Sequence, residues 1–315
     1  MSYSVELITP ERKDELYLEH SSKPFYTCKA DIHGCAIKLY TLNRDMKERW
    51  EDNFYAMSDN VRSHGRLILL DDDSGRTKVL YEPIAKTAFL FNFDYYGWVK
   101  SLALAVAGDL LEDEHHINSV HGAALDIDGK GVAMIAPSKT GKTTHAWGLL
   151  RMEGARLITD DWFFVRPGAR PDAYGSEKNC YVDADIAKIW PEYSRLLEGS
   201  VPDNKGRAIV NVRWAAGINS VVPMTPLKEI ILLKRDADDD DIVHELSPLE
   251  ALNYLTSRDF CNPHQLVRDM RKMKIRTEFY ERLLSKTRVH LVNTVASPER
   301  TQAMIRSLIK EDQRR

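Results

Sequence analysis

From residue 136 to residue 144 the chain reads Ala-Pro-Ser-Lys-Thr-Gly-Lys-Thr-Thr. Ala136, Gly141, Lys142 and Thr143 fall in the spacing A-x-x-x-x-G-K-T, a Walker A pattern with alanine in the first glycine position. In such a loop, successive backbone N–H groups curl around phosphates, and the helix that follows adds its partial positive charge. The lysine reaches the β- and γ-phosphates, and the Ser/Thr hydroxyl binds Mg²⁺. Ala136, Pro137, Ser138, Lys139, Thr140, Gly141, Lys142, Thr143 and Thr144 therefore form the candidate nucleotide-phosphate site, with Thr143 as a metal ligand. Alanine at the first position indicates close approach without a requirement for positive φ.

Further candidates flank this stretch. Asp160 and Asp161 close the apolar run Arg156-Leu157-Ile158-Thr159 downstream of Lys142, where a strand-terminal carboxylate is placed to hold Mg²⁺. Adjacent residues on a strand point to opposite faces, so the two aspartates should have different tasks. Upstream, His121-Gly122 lies on an apolar segment.

The elements that must position these groups follow from periodicity. Val120–Ile127 reads as a strand, 128–131 as a hairpin turn, and Val132–Ile135 as the return strand into the loop. Thr144–Met152 reads as the helix after it. Strand patterns also appear at Phe25–Ile32, Ala36–Leu42, Gly65–Leu70, Lys78–Tyr81 and Thr87–Phe91, with a helix near Asp45–Met57. Tyr95–Glu112 predicts a helix with a broad apolar face. Later strands are expected at Trp162–Val165, Ala208–Val212, Leu227–Leu233 and Val289–Asn293. Helices are expected at Asp183–Glu198, interrupted at Pro191, and at Leu249–Leu255, Pro263–Leu284 and Pro298–Ile309. The fold class is α/β: a P-loop-containing mixed β-sheet flanked by helices, with residues 1–93 as a β-rich N-terminal lobe and 94–315 as the nucleotide-binding domain.

Composition narrows the function classes. A chain of 315 residues can bury a large core, and 43% hydrophobic with 29% charged residues is ordinary for a globular protein. A formal net charge of −3 gives no global signal for nucleic acid. Arg268, Arg271, Lys272, Lys274 and Arg276 cluster on one predicted helix, and read as a solvated face ahead of a phosphate- or RNA-contacting one. No apolar run reaches membrane-spanning length, and Met1–Glu6 shows no signal-peptide pattern, so a cytoplasmic location without membrane contact is expected. Four scattered cysteines, Cys28, Cys35, Cys180 and Cys261, fit reduced thiols. Asp71–Asp73, Asp236–Asp241 and His115-His116 read as solvated turns, since none has a recognised metal-ligand spacing.

The ordered triple of His121-Gly122, the Walker loop and Thr159-Asp160-Asp161 resembles the catalytic domain of the HPr kinase/phosphorylase family, which shares a fold with phosphoenolpyruvate carboxykinases. The resemblance covers roughly Tyr95 to Val212. It implies an HPr kinase C-terminal-domain-like fold and transfer of a γ-phosphoryl group from ATP, with Mg²⁺, to a hydroxyl. GTP and pyrophosphate stay open as donors. Carried over, Lys142 neutralises the transferring group, Thr143 and Asp161 hold Mg²⁺, and Asp160 is the general base with His121 beside it. Lys205-Gly206 stands where the family carries an arginine-glycine pair, which makes Lys205 a further catalytic candidate. The implied partners are a nucleotide and a hydroxyl-bearing small molecule or protein serine, with a homo-oligomer as the family's habit. The competing readings are a nucleotide-binding regulator without turnover, an RNA-directed kinase and a carboxykinase-like lyase.

Overall fold

The N-terminal stretch holds a helix that strand patterning hides. After β1 (Ser4–Leu7), the Thr9 hydroxyl accepts from Arg12 N–H and Pro10 takes the first helical position, so Pro10–His20 forms α1. Alternating apolar residues then build β2 (Tyr26–Ile32) and β3 (Cys35–Thr41), and Asn43 caps α2 (Arg44–Asn53) through Asp45 and Met46 N–H. The short β4 (Tyr55–Ala56) precedes β5 (Gly65–Leu70), β6 (Lys78–Glu82) and β7 (Thr87–Phe91). These strands make one mixed sheet in the order β1-β6-β7-β5-β3-β2-β4, with β3, β5 and β7 parallel.

The long helix α3 (Tyr96–Glu114) is buried along most of its length, charged residues included. Its buried charges are paired. Lys100 lies 2.9 Å from Glu177, and the Lys272 ammonium lies 2.7 Å from Asp109, 3.1 Å from Glu112 and 2.9 Å from Asp113. Lys86 reaches both Asp109 and Asp113 at 2.6 Å, and the Tyr81 hydroxyl donates to Asp109. Unpaired, each of these charges would be costly at such depth.

The computed structural model describes residues 3–198, 200, 202–203, 205–239 and 241–313. Two units are distinguished, one of residues 1–117, 176–178 and 263–273, the other of 118–175, 179–262 and 274–315. α3 falls within the first unit, enclosed by that unit's own sheet and ion pairs.

The second unit is built on β8 (Asn118–Ile127) and β9 (Lys130–Ile135), joined by a tight turn with Asp128 and Gly129 at positive φ. Next come α4 (Lys142–Leu149), β10 (Ala155–Thr159), β11 (Trp162–Arg166), β12 (Asp172–Tyr174) and β13 (Cys180–Asp183). Two one-turn helices, α5 (Ile186–Ile189) and α6 (Ser194–Leu197), flank a 3-10 turn at Pro191. They are followed by β14 (Arg207–Val210), α7 (Val212–Ala216), β15 (Met224–Lys234), β16 (Val243–Leu246) and α8 (Pro248–Thr256). The chain ends in α9 (Met270–Leu284), β17 (Arg288–Asn293) and α10 (Pro298–Gln313). The central strands β9, β15 and β17 are parallel, with β8 antiparallel beside β9 and β16 antiparallel beside β17. Met134, Trp147, Ile231 and Ile305 share the core that fixes α4 and α10 to these strands.

The molecule is thus a mixed α/β protein with two large mixed sheets and a two-stranded ribbon. Two helix expectations need correction. The helix expected from Pro263 starts at Met270, because the Asp269 carboxylate accepts from Lys272 N–H and caps it there. The helix expected over Asp183–Glu198 with an interruption at Pro191 is broken there, but what remains on either side is shorter, only α5, the 3-10 turn and α6. Within the loops read as polar or charged, Val201, Asn204 and Asp240 lie outside the described residues, as do Met1 and Ser2 of the N-terminal segment.

Candidate functional site

Residues 136–141 leave the end of β9, which lies between antiparallel β8 and parallel β15, and enter α4 at Lys142. Open α/β sheets place ligands outside the carboxyl ends of such strands. Ala136 is buried in the core and is not among the residues at positive φ, in keeping with close approach alone. Lys139 (φ 67°) and Gly141 (φ 91°) are left-handed, so the loop turns back on itself before the helix begins. The Thr140 hydroxyl donates to the Pro137 carbonyl at 2.7 Å, and Thr294, just after β17, donates to the Thr140 carbonyl at 2.9 Å. Ser138 is exposed, and Thr143 and Thr144 are half-buried in the first turn of α4.

Three predicted residues meet at the start of α4. Lys142 Nζ lies 3.0 Å from Asp161 Oδ1 and 3.3 Å from His121 Nε2, and the two acceptors are 3.2 Å apart. Backbone pairing explains the meeting. Trp162 is the register partner of His121, and Gly122 N–H donates to the Asp161 carbonyl at 2.9 Å. Gly122 is required here, because a Cβ would lie 2.6 Å from the Met134 carbonyl oxygen.

The His121 tautomer follows from its other nitrogen. Nδ1 faces the Cys261 carbonyl at 2.8 Å and must donate to it. Burial and the Lys142 ammonium push the imidazole pKa down, against the opposing pull of Asp161 and the Cys261 carbonyl, so the ring is neutral near pH 7. Its Nε2 lone pair then accepts from Lys142. The ammonium bridges two acceptors that would otherwise face each other unpaired.

His121, expected beside Asp160, stands against Asp161. Asp160 is 3% exposed, whereas the Asp161 side chain is 28% exposed and opens toward Lys142. The two adjacent carboxylates do have different surroundings. Lys205 is placed at a neighbouring open pocket of about 410 Å³, which it lines together with Thr143, Thr144, Asp183 and Asp185.

Two supports were invisible in the sequence. His145 Nδ1 donates to Gln302 Oε1 at 3.2 Å, and the His145 ring packs beneath Gly141. The Cys261 carbonyl is presented by three consecutive left-handed residues, Asp259 (φ 50°), Phe260 (φ 54°) and Cys261 (φ 55°), none of them glycine. Such a turn costs roughly 1–2 kcal/mol per residue. Phe260 offsets part of that, being 1% exposed and stacked on Tyr280 with ring centroids 5.1 Å apart.

The basic residues around the start of α9 are largely committed elsewhere. Lys272 and Arg271 pair with carboxylates of α3, Lys274 lies 3.8 Å from Glu278, Arg268 donates to the Pro263 carbonyl, and Arg276 is buried. Asp239, Asp241 and His244 approach one another, but the Lys234 ammonium already pairs with Asp239. The four cysteines are thiols, and His115 and His116 are exposed. Among the described residues no helix is long and apolar enough to cross a membrane.

As an arrangement, the site offers an ammonium and a helix N-terminus to an anion, with hydroxyl and carboxylate oxygens of Thr143 and Asp161 suited to a hard cation. No protein-family model matches the chain. No curated protein matches it either. Among solved structures it is similar to an Hpr(Ser) kinase/phosphatase from Coxiella burnetii, at 13% identity over 62% of this chain and 90% of that one, with a TM-score of 0.37. A likeness of that size leaves the chemistry to be read from the residues themselves.

Proposed function

We propose that the protein is an ATP- and Mg²⁺-dependent phosphotransferase acting on a hydroxyl group of a small molecule or a protein serine. The observation that carries this reading is the Lys142–Asp161–His121 cluster at the mouth of α4, below a loop turned by left-handed Lys139 and Gly141. Residues 136–144 would cradle the nucleotide phosphates through backbone N–H groups, with GTP and pyrophosphate as alternative donors. Thr143 and Asp161 fit Mg²⁺ because both present oxygen at the start of α4. When bound, the ion would supply charge neutralisation on the transferred group.

The chain's own residues account for the remaining steps. Lys142 leaves Asp161 and turns its ammonium to the phosphoryl oxygens. Asp160, screened from water at 3% exposure, is the group to accept the acceptor's hydroxyl proton. Lys205, which lines the same pocket as Thr143 and Thr144, adds a second cation for phosphate. Phosphoryl transfer asks mainly for positioning and charge, and this set supplies both.

The test is transfer from γ-labelled ATP with Mg²⁺ into a cell extract split into small molecules, proteins and RNA. Label in the small-molecule or protein fraction, absent with Lys142→Ala, establishes the activity and its acceptor class. Asp160→Asn should keep nucleotide binding and lose transfer. Full activity in Asp160→Asn sinks the base assignment, and label in RNA alone sinks the acceptor class.

A further inference from the structure

The turn at 259–261 holds three consecutive residues at positive φ, and of them only Asp259 is of a type that adopts this region readily. What the conformation does accomplish is to aim one backbone oxygen, that of Cys261, at His121 Nδ1 from 2.8 Å. A backbone carbonyl can only accept, so it fixes which nitrogen carries the proton. Nε2 is left as an acceptor 3.3 Å from Lys142.

We propose that the Asp259–Cys261 turn is a positioning element for Lys142, acting through the tautomer of His121. An ammonium has three N–H donors. With one held by His121 Nε2, the other two are aimed away from the ring, along the side where Asp161 and the mouth of α4 lie. His121 is thereby a holder of the lysine, and its Nε2 is already engaged. A side-chain acceptor in place of the Cys261 carbonyl could itself gain or lose a proton, whereas a carbonyl keeps one hydrogen-bonding sense at every pH. Phe260, locked against Tyr280, is the side chain that keeps the turn in place.

The consequence for catalysis rests on the phosphotransferase reading, but the tautomer does not, and the experiment separates them. Long-range ¹H–¹⁵N spectra of the full chain at pH 8, with His121 assigned by His121→Gln, report the tautomer directly. Wild type should show protonated Nδ1 and unprotonated Nε2. Phe260→Ala, with dispersed amide spectra proving a fold, should lose that signature for a mixture of tautomers. Its transfer rate should fall about tenfold with the nucleotide KM unchanged, the loss of one orienting hydrogen bond. If Phe260→Ala fails to fold, Phe260→Leu carries the same expectation at smaller amplitude. Protonated Nε2 in the wild type, or an unchanged tautomer in a folded variant, overturns the proposal. Should wild type transfer no phosphate at all, the kinase reading fails while the tautomer result still decides this one.

Discussion

Asp161→Asn should bind metal-free nucleotide more tightly than the wild type, and this sign is the sharpest consequence of the site's geometry. In the structure Lys142, the lysine proposed to bind phosphate, pairs with Asp161 3.0 Å away, so on that reading nucleotide must first break the pair. At an effective dielectric near 20, two charges at that distance attract by about 5 kcal/mol before desolvation. The side chains are 12% and 28% exposed, and side-chain ordering and solvent screening cancel most of the attraction, leaving roughly 1–2 kcal/mol. Asparagine keeps the shape and removes the charge. Releasing that pair should lower the Kd for ADP in EDTA by about five- to thirtyfold. Removing the carboxylate's repulsion of phosphate acts in the same direction. With excess Mg²⁺ the order should reverse, because the variant lacks a carboxylate ligand for the ion. Calorimetric titration with ADP, in EDTA and in Mg²⁺, measures both arms. A variant that binds metal-free ADP no tighter than wild type would refute the idea that Asp161 restrains Lys142. An undiminished gain from Mg²⁺ would refute its role as a ligand.

Lys142→Met should raise the ADP Kd by about ten- to a hundredfold, the worth of charge-assisted bonds to phosphate. Its urea midpoint should scarcely move, since its partner is partly solvated. Lys272→Met should do the reverse. It leaves Glu112 beside an apolar stem and Asp109 and Asp113 with fewer cations, and should cost about 3–5 kcal/mol in urea unfolding, with ADP binding intact in the folded fraction. The same cluster sets an acid limit. Burial alone would raise the Asp109 pKa, but Lys272 and Lys86 outweigh it and hold the carboxyl below its usual range, and Asp113 is lowered likewise by its three cationic neighbours. Folded pKa values below the unfolded ones mean stability that is present above about pH 4 and lost as pH falls further. Urea midpoints at pH 7 and pH 3 should therefore differ, and Lys272→Met should flatten the difference. Gly122→Ala pushes a methyl to 2.6 Å from the Met134 carbonyl and should lower thermal stability by about 1–3 kcal/mol. An unchanged melting temperature would mean that β8 and β9 can separate there freely.

Local patterns were legible where one chain segment decides the outcome. The hairpin of β8 and β9 follows from Asp128-Gly129 between two apolar runs, and β5 and β7 follow from unbroken apolar strands. The meeting of His121, Lys142 and Asp161 was partly readable too, because all three sit on elements whose order implied neighbouring strands. Which aspartate meets the histidine was not readable. It depends on the pairing of Trp162 with His121 and on a register shift between Leu157 and Thr159, which adds a residue upstream of the aspartates. Pattern also misled where burial was paired with charge. Lys100, Asp109 and Glu112 gave α3 the look of a half-exposed helix, yet opposite charges distant in sequence, Glu177 and Lys272, pair with them. Lys272 looked like part of a basic surface for the same reason.

The Cys261 carbonyl marks a different kind of limit. A motif search sees side chains, and this contact is made by backbone whose conformation Phe260 and Cys261 would not choose alone. Only the enclosing structure can hold three such residues left-handed, through the stacking of Phe260 on Tyr280. The strained backbone presents one carbonyl to His121, and the packing of Phe260 sustains it.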